Sequence, residues 1–67
     1  MSVARVTEII SGSPKSFKDA IDTGIERANQ TLKNVEGAWV QDQSVVLDKG
    51  KIKEYRVSLK VTFILND

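Results

Sequence analysis

The sequence contains no cysteine and no histidine, one proline, one tryptophan, one tyrosine and two phenylalanines among its 67 residues. Without cysteine there is no disulfide, and without either residue there is no zinc site of the usual kind. The lack of histidine also removes the commonest general base. No nucleophile–base spacing is visible, and the carboxylates converge on no identifiable pocket, so the sequence predicts a non-enzyme. Charge of one sign is missing too. Ten basic and nine acidic residues leave a net charge of +1, and the basic residues are scattered, which gives no field for nucleic acid. No apolar run reaches the length of a membrane span, and the start, Met1-Ser2-Val3-Ala4-Arg5, has no signal-peptide hydrophobic region, so a cytoplasmic address is expected. Below roughly 70–80 residues a hydrophobic core rarely supplies more than about 3–5 kcal/mol. With disulfides and zinc removed, self-association is the expected remedy for one domain spanning residues 1–67.

What the chain has is one long alternating segment. From Lys51 to Asp67, and without a break from Tyr55, one side reads Tyr55, Val57, Leu59, Val61, Phe63 and Leu65. The other reads Arg56, Ser58, Lys60, Thr62 and Ile64. That period of two, rich in β-branched and aromatic residues, predicts a half-buried strand whose first set needs a cover. Val3–Ile10 reads as another strand, with Ala4, Val6 and Ile10 sharing a face despite Glu8, broken by Ser11-Gly12-Ser13-Pro14. That small-residue stretch reads as a strand-to-helix turn in preference to a phosphate cradle, because the P-loop pattern is absent.

Ser16 is placed as a helix N-cap with Asp19 three residues on, followed by Phe17, Ala20, Ile21, Ile25, Ala28 and Leu32 at steps of three and four. The spacing predicts an amphipathic helix ending near Asn34. Gly24 in its interior points to close backbone approach, to the sheet or another subunit, ahead of a hinge. Asp19, Asp22 and Glu26 form an acidic ridge; a hard cation could use it, but a solvated face balanced by Lys15, Lys18 and Arg27 is preferred. Val35–Leu47 reads as a second strand whose phase slips; either a bulge or twist near Asp42 to Ser44 reconciles it or the strand leaves the sheet and pairs elsewhere in an assembly, and Asp48-Lys49-Gly50 supplies a hairpin turn.

The expected fold class is α+β, in the order β-α-β-β, with one helix on one face of a three-stranded antiparallel sheet of order 1-3-2. Parity then assigns the uncovered face Arg5 and Thr7, Gly37, Trp39 and Gln41, and Arg56, Ser58, Lys60 and Thr62. The sole tryptophan on a bare face marks either a subunit contact or a ligand platform.

Several segments together resemble the dodecin family: Arg5-Val6-Thr7-Glu8-Ile9-Ile10-Ser11-Gly12-Ser13, Ser16-Phe17-Lys18-Asp19-Ala20-Ile21, Glu26-Arg27-Ala28, Thr31-Leu32 and Tyr55 through Phe63. The ordered set, spanning nearly the whole chain, carries the resemblance; no one motif does. It implies a hollow spherical homo-dodecamer, in many members binding flavins in pairs stacked between tryptophans at subunit contacts. In this chain the family's flavin-stacking tryptophan aligns with Gly37 and its flavin-contacting glutamine with Arg56, while Trp39 lies one step along the same face. The resemblance therefore names Gly37, Trp39 and Arg56 as cofactor-site positions, with FMN, riboflavin or FAD as the implied ligand and weakened flavin binding as the expectation, phosphorylated forms being favoured over riboflavin because the Arg56 guanidinium can stack on a ring or pair with a phosphate. Some dodecins lack flavin and are linked to metal ions such as calcium, which is the second reading, with no metal ligand assigned. A small interaction module outside the family is the third.

Overall fold

The computed structural model describes residues 3–65. Its elements are β1 (Ala4–Ser13), α1 (Phe17–Thr31), β2 (Val35–Asp48) and β3 (Lys51–Ile64). They form an antiparallel sheet of order β1-β3-β2, so the most regularly alternating strand is central. Along β3 the expected parity holds at its centre, where Val57, Leu59 and Val61 are fully buried beneath α1. Tyr55 and Phe63 are half-buried at the two ends of that row. Tyr55 meets Phe17, from the first helical turn, edge to face at a centroid separation of 5.1 Å and 76°. Leu65, which continues that alternation in the sequence, lies beyond β3 and is exposed. Asn66 and Asp67, included in the expected strand, lie outside the described residues.

The helix starts as its sequence requires. Ser16 is extended and its hydroxyl accepts the Asp19 N–H at 2.9 Å. It ends at Thr31, three residues before the expected Asn34. Leu32 is extended, and Asn34 turns the chain into β2 from the left-handed region at φ 61°. Ala20, Gly24 and Ala28 form its buried line, and small residues there let the backbone ride close to the sheet. A Cβ at Gly24 would stand 2.9 Å from Leu59 Cδ1 and 3.0 Å from the Ser11 Cβ, so the close approach is to the sheet. Gly24→Ala is therefore expected to destabilise the fold by about 1–3 kcal/mol, because overpacking outweighs the helical gain. Chemical denaturation measures this, and a more stable variant would contradict the packing described.

β1 departs from the expectation in length and in facing. It continues through the Ser11–Ser13 stretch, pairing Ser13 with Tyr55, so that stretch makes neither the expected turn nor a phosphate cradle. Directly opposed residues of an antiparallel pair share a face. Arg5 opposes Phe63, Thr7 opposes Val61, Ile9 opposes Leu59 and Ser11 opposes Val57, which puts Arg5 and Thr7 on the helix side. Ala4, Val6, Glu8 and Ile10 turn to the open face. The physical reason is the close passage of Gly24, which leaves room only for a small side chain at the buried Ser11. Burial of Ser13 is satisfied: its hydroxyl donates to the Asp19 carboxylate at 2.6 Å and accepts the Lys15 N–H at 3.0 Å.

In β2 the register steps from Val40 opposite Leu59 to Asp42 opposite Ser58, leaving Gln41 as the extra residue of a bulge. The bulge sits just ahead of the expected segment and reconciles the phase as foreseen, since Val45 opposes the helix-facing Tyr55. It also removes Gln41 from the regular open-face row. At the hairpin, Lys49 and Gly50 have φ of 53° and 78°. Two consecutive positive values are the signature of a type I′ turn, which suits strand twist.

Candidate functional site

The uncovered face of the sheet is built of lateral rows, one residue from each strand. Val6, Thr62 and Gly37 make one row, and Glu8, Lys60 and Trp39 the next. Ile10, Ser58 and Asp42 follow, then Gly12, Arg56 and Ser44. Trp39 is 63% exposed and Ile10 71%, with Val6 also open. Three large apolar side chains thus stand exposed on one sheet face of a small protein.

Around the indole, the Lys60 ammonium lies 5.2 Å from the ring centroid, a cation–π contact. The Thr62 hydroxyl donates to the Gly37 carbonyl at 3.1 Å, and the Ser58 hydroxyl donates to Glu8 at 3.4 Å. Val6, Glu8, Trp39, Lys60 and Thr62 line a groove of about 490 Å³. Gly37 leaves its position vacant of side chain. A Cβ there would touch only Thr62 Oγ1, at 3.8 Å, so the gap is not enforced by crowding.

Of the three positions named from the sequence, Gly37 and Trp39 lie in adjacent rows beside this groove, and Arg56 does not. Arg56 is four residues along β3 from Lys60, roughly 13 Å away. Its guanidinium is engaged by Glu54, with Nε and Nη2 donating to one carboxylate oxygen at 3.1 and 2.6 Å. Glu54 itself rests over Gly12, where any side chain would displace it. Sequence parity puts Lys60 and Thr62 on this face without marking them as groove residues, and puts Val6 on the opposite face. Only the partner register across β3 reveals the row that Glu8, Lys60 and Trp39 share.

Two of the three acids of the α1 ridge are taken up by local partners. Asp19 holds Ser13, and Asp22 pairs with Lys18 at 2.8 Å. Through that hydrogen bond and its charge, Asp22 raises the Lys18 pKa above its ordinary value. Among the described residues no group of three or more Asp, Glu, His or Cys side chains is gathered for a metal ion. No helix among them is long and apolar enough to cross a membrane.

A fold of this order with an open, aromatic-bearing sheet face defines a class, and comparison with known proteins identifies it. Residues 3–66 match the family model for dodecin. The calcium dodecin of Mycobacterium tuberculosis is 33% identical over 63 residues, which is 94% of this chain and 89% of that protein. Among solved structures, the dodecin from Streptomyces davaonensis superposes with a TM-score of 0.93 at 38% identity, covering 98% of this chain and 97% of that one. The crystal structure of the M. tuberculosis calcium dodecin gives 0.85 at 35% identity, covering 97% and 93%. The chain belongs to the dodecin family.

Proposed function

We propose that the protein is a non-enzymatic, dodecin-like homo-oligomeric shell that sequesters a flat small molecule against its open sheet face. The observation that carries this reading is the exposed Trp39 indole standing with Val6 and Ile10 on the face α1 leaves bare. Indole exposure forfeits a large apolar burial, and packing between copies would recover it. The groove's side chains are two apolar, one acidic, one basic and one hydroxyl group, with no nucleophile–base pair among them, which supports binding in place of catalysis.

By family resemblance the ligand is a flavin: FMN, riboflavin or FAD. The residues fit a flat ring on Trp39 and not at Gly37, which offers no plane. Residues two apart on a strand are about 6.6–6.8 Å apart, so a ring on Trp39 sits a ring's breadth from the family position. Base–aromatic stacking is worth roughly 1–3 kcal/mol; if a flavin ring behaves comparably, affinity is reduced by about 5- to 150-fold. The sequence favoured Arg56 as a phosphate partner. Its engagement with Glu54 weakens that expectation, so little preference for FMN over riboflavin is proposed.

The open space at Gly37 makes the test a gain of function. Gly37→Trp should tighten riboflavin by about 5- to 150-fold, read by quenching of flavin emission. An unchanged affinity in a variant that still assembles would contradict the assigned position. A second reading, an assembly that takes calcium in place of flavin, is favoured by the relative named calcium dodecin. With no acidic cluster gathered within the described residues of one protomer, that ion would sit between copies. Calorimetric titration with calcium, alongside riboflavin, separates the two.

A further inference from the structure

Lys60 occupies an unusual position for a surface lysine. It is the middle residue of the lateral row Glu8–Lys60–Trp39, yet its ammonium lies over the indole and not against an acid. The ion pairs among the described residues are Lys18–Asp22 and Arg56–Glu54, and Lys60 is in neither. Glu8, directly opposite on β1, is drawn toward Ser58. An exposed cation–π contact shifts an equilibrium by only about 2- to 5-fold, so the indole holds Lys60 lightly.

The rest of the groove offers few competing polar groups. Thr62 spends its hydroxyl proton on the Gly37 carbonyl, and the absent side chain at Gly37 leaves the neighbouring row low beside the ring. The charged donor at the indole is Lys60. The acid of the row, Glu8, lies on the far side of Lys60, two strands from Trp39. A flat molecule entering over Trp39 must displace the ammonium, and it meets positive charge before negative.

We propose that Lys60 is a displaceable cationic cap on Trp39, and that the groove selects planar aromatic anions by exchanging the Lys60–indole contact for a Lys60–anion pair above a stacked ring. This deepens, and rests on, the reading of the open face as a ligand surface. The cap acts with opposite sign on two kinds of ligand. It attracts a ring that carries negative charge and competes against a neutral ring of the same shape.

The test uses 2-naphthoate and its neutral twin 2-naphthalenemethanol, titrated calorimetrically into the assembled protein. The chain has one tryptophan, so a single indole N–H resonance reports whether the probe sits on Trp39. The wild type is expected to prefer the anion by about 2- to 5-fold, the upper part of the range for an ion pair in an open groove. Lys60→Thr should remove that preference, weakening naphthoate while tightening the alcohol by up to about 2- to 5-fold as the competitor leaves. Parallel changes for both probes, or equal wild-type affinities with the indole resonance shifted, overturn the cap and leave the ligand-surface reading standing. No binding by either probe and an unmoved resonance overturn both. If Lys60→Thr does not fold, salt decides on the wild type. Raising it from roughly 0.05 to 0.5 M should weaken naphthoate and spare the alcohol, and a salt-insensitive anion overturns the cap.

Discussion

Leu59→Ala is expected to destabilise the protein by about 2–5 kcal/mol, the range for truncating a fully buried leucine. Leu59 is 0% exposed at the centre of β3, between Ile9 of β1 and Val40 of β2 and under the close passage of Gly24. Backbone on three sides leaves the cavity little freedom to collapse, which points to the upper part of that range. A domain of this size has about 3–5 kcal/mol to lose, so the variant should be largely unfolded wherever it is not held by other copies. Denaturant titration followed by far-ultraviolet circular dichroism reads this directly. Phe63, expected from the sequence to be core, is half-buried in the protomer, so Phe63→Ala should fall below Leu59→Ala unless a neighbouring copy covers it. A wild-type-like midpoint for Leu59→Ala would show that the core lies elsewhere.

The second large effect is on assembly. Ile10 is 71% exposed, on the open face, opposite Ser58. In a lone protomer Ile10→Asp should change little, because an exposed side chain contributes little to the fold. At a contact between copies, the same change buries an unpaired carboxylate at every equivalent site, at several kcal/mol each before relaxation. The expected outcome is loss of the assembly with a shift to small species, read by native mass spectrometry. Unaltered assembly by Ile10→Asp would show that the open face around β1 is not where the copies meet.

That prediction also explains what could and could not be read from the sequence. β3 was legible because its cover is α1, part of the same chain, so the alternation of Val57, Leu59 and Val61 reports burial the protomer itself provides. β1 was misread for the converse reason. Its apolar residues Val6 and Ile10 face outward, while Ser11 and Ser13 lie buried under the helix. Of the apolar residues of β1, Ile9 packs against the core while Val6 and Ile10 point away from it, so its hydrophobic pattern alone does not give its facing. The serines are legible only once Gly24 is known to pass 3.0 Å (as a virtual Cβ) from Ser11, a packing fact with no periodic signature. The β2 bulge was foreseen from the phase slip between Val40 and Val45, because a parity change in a strand has few other physical causes. Of the site, Gly37 and Trp39 were placed correctly on the open face. The third position, Arg56, sits on that face but is tied to Glu54, a next-but-one neighbour that alternation puts on the same face and to which the sequence reading gives no role.

The central claim is that the bare sheet face is covered by further copies of this chain, and the mass in solution tests it most directly. Light scattering at micromolar concentration should give a mass corresponding to a dodecamer of the 7.4 kDa chain, with Trp39 emission blue-shifted and moving red as the assembly is dissociated. A folded protein of 7.4 kDa whose indole emits as though in water would contradict it.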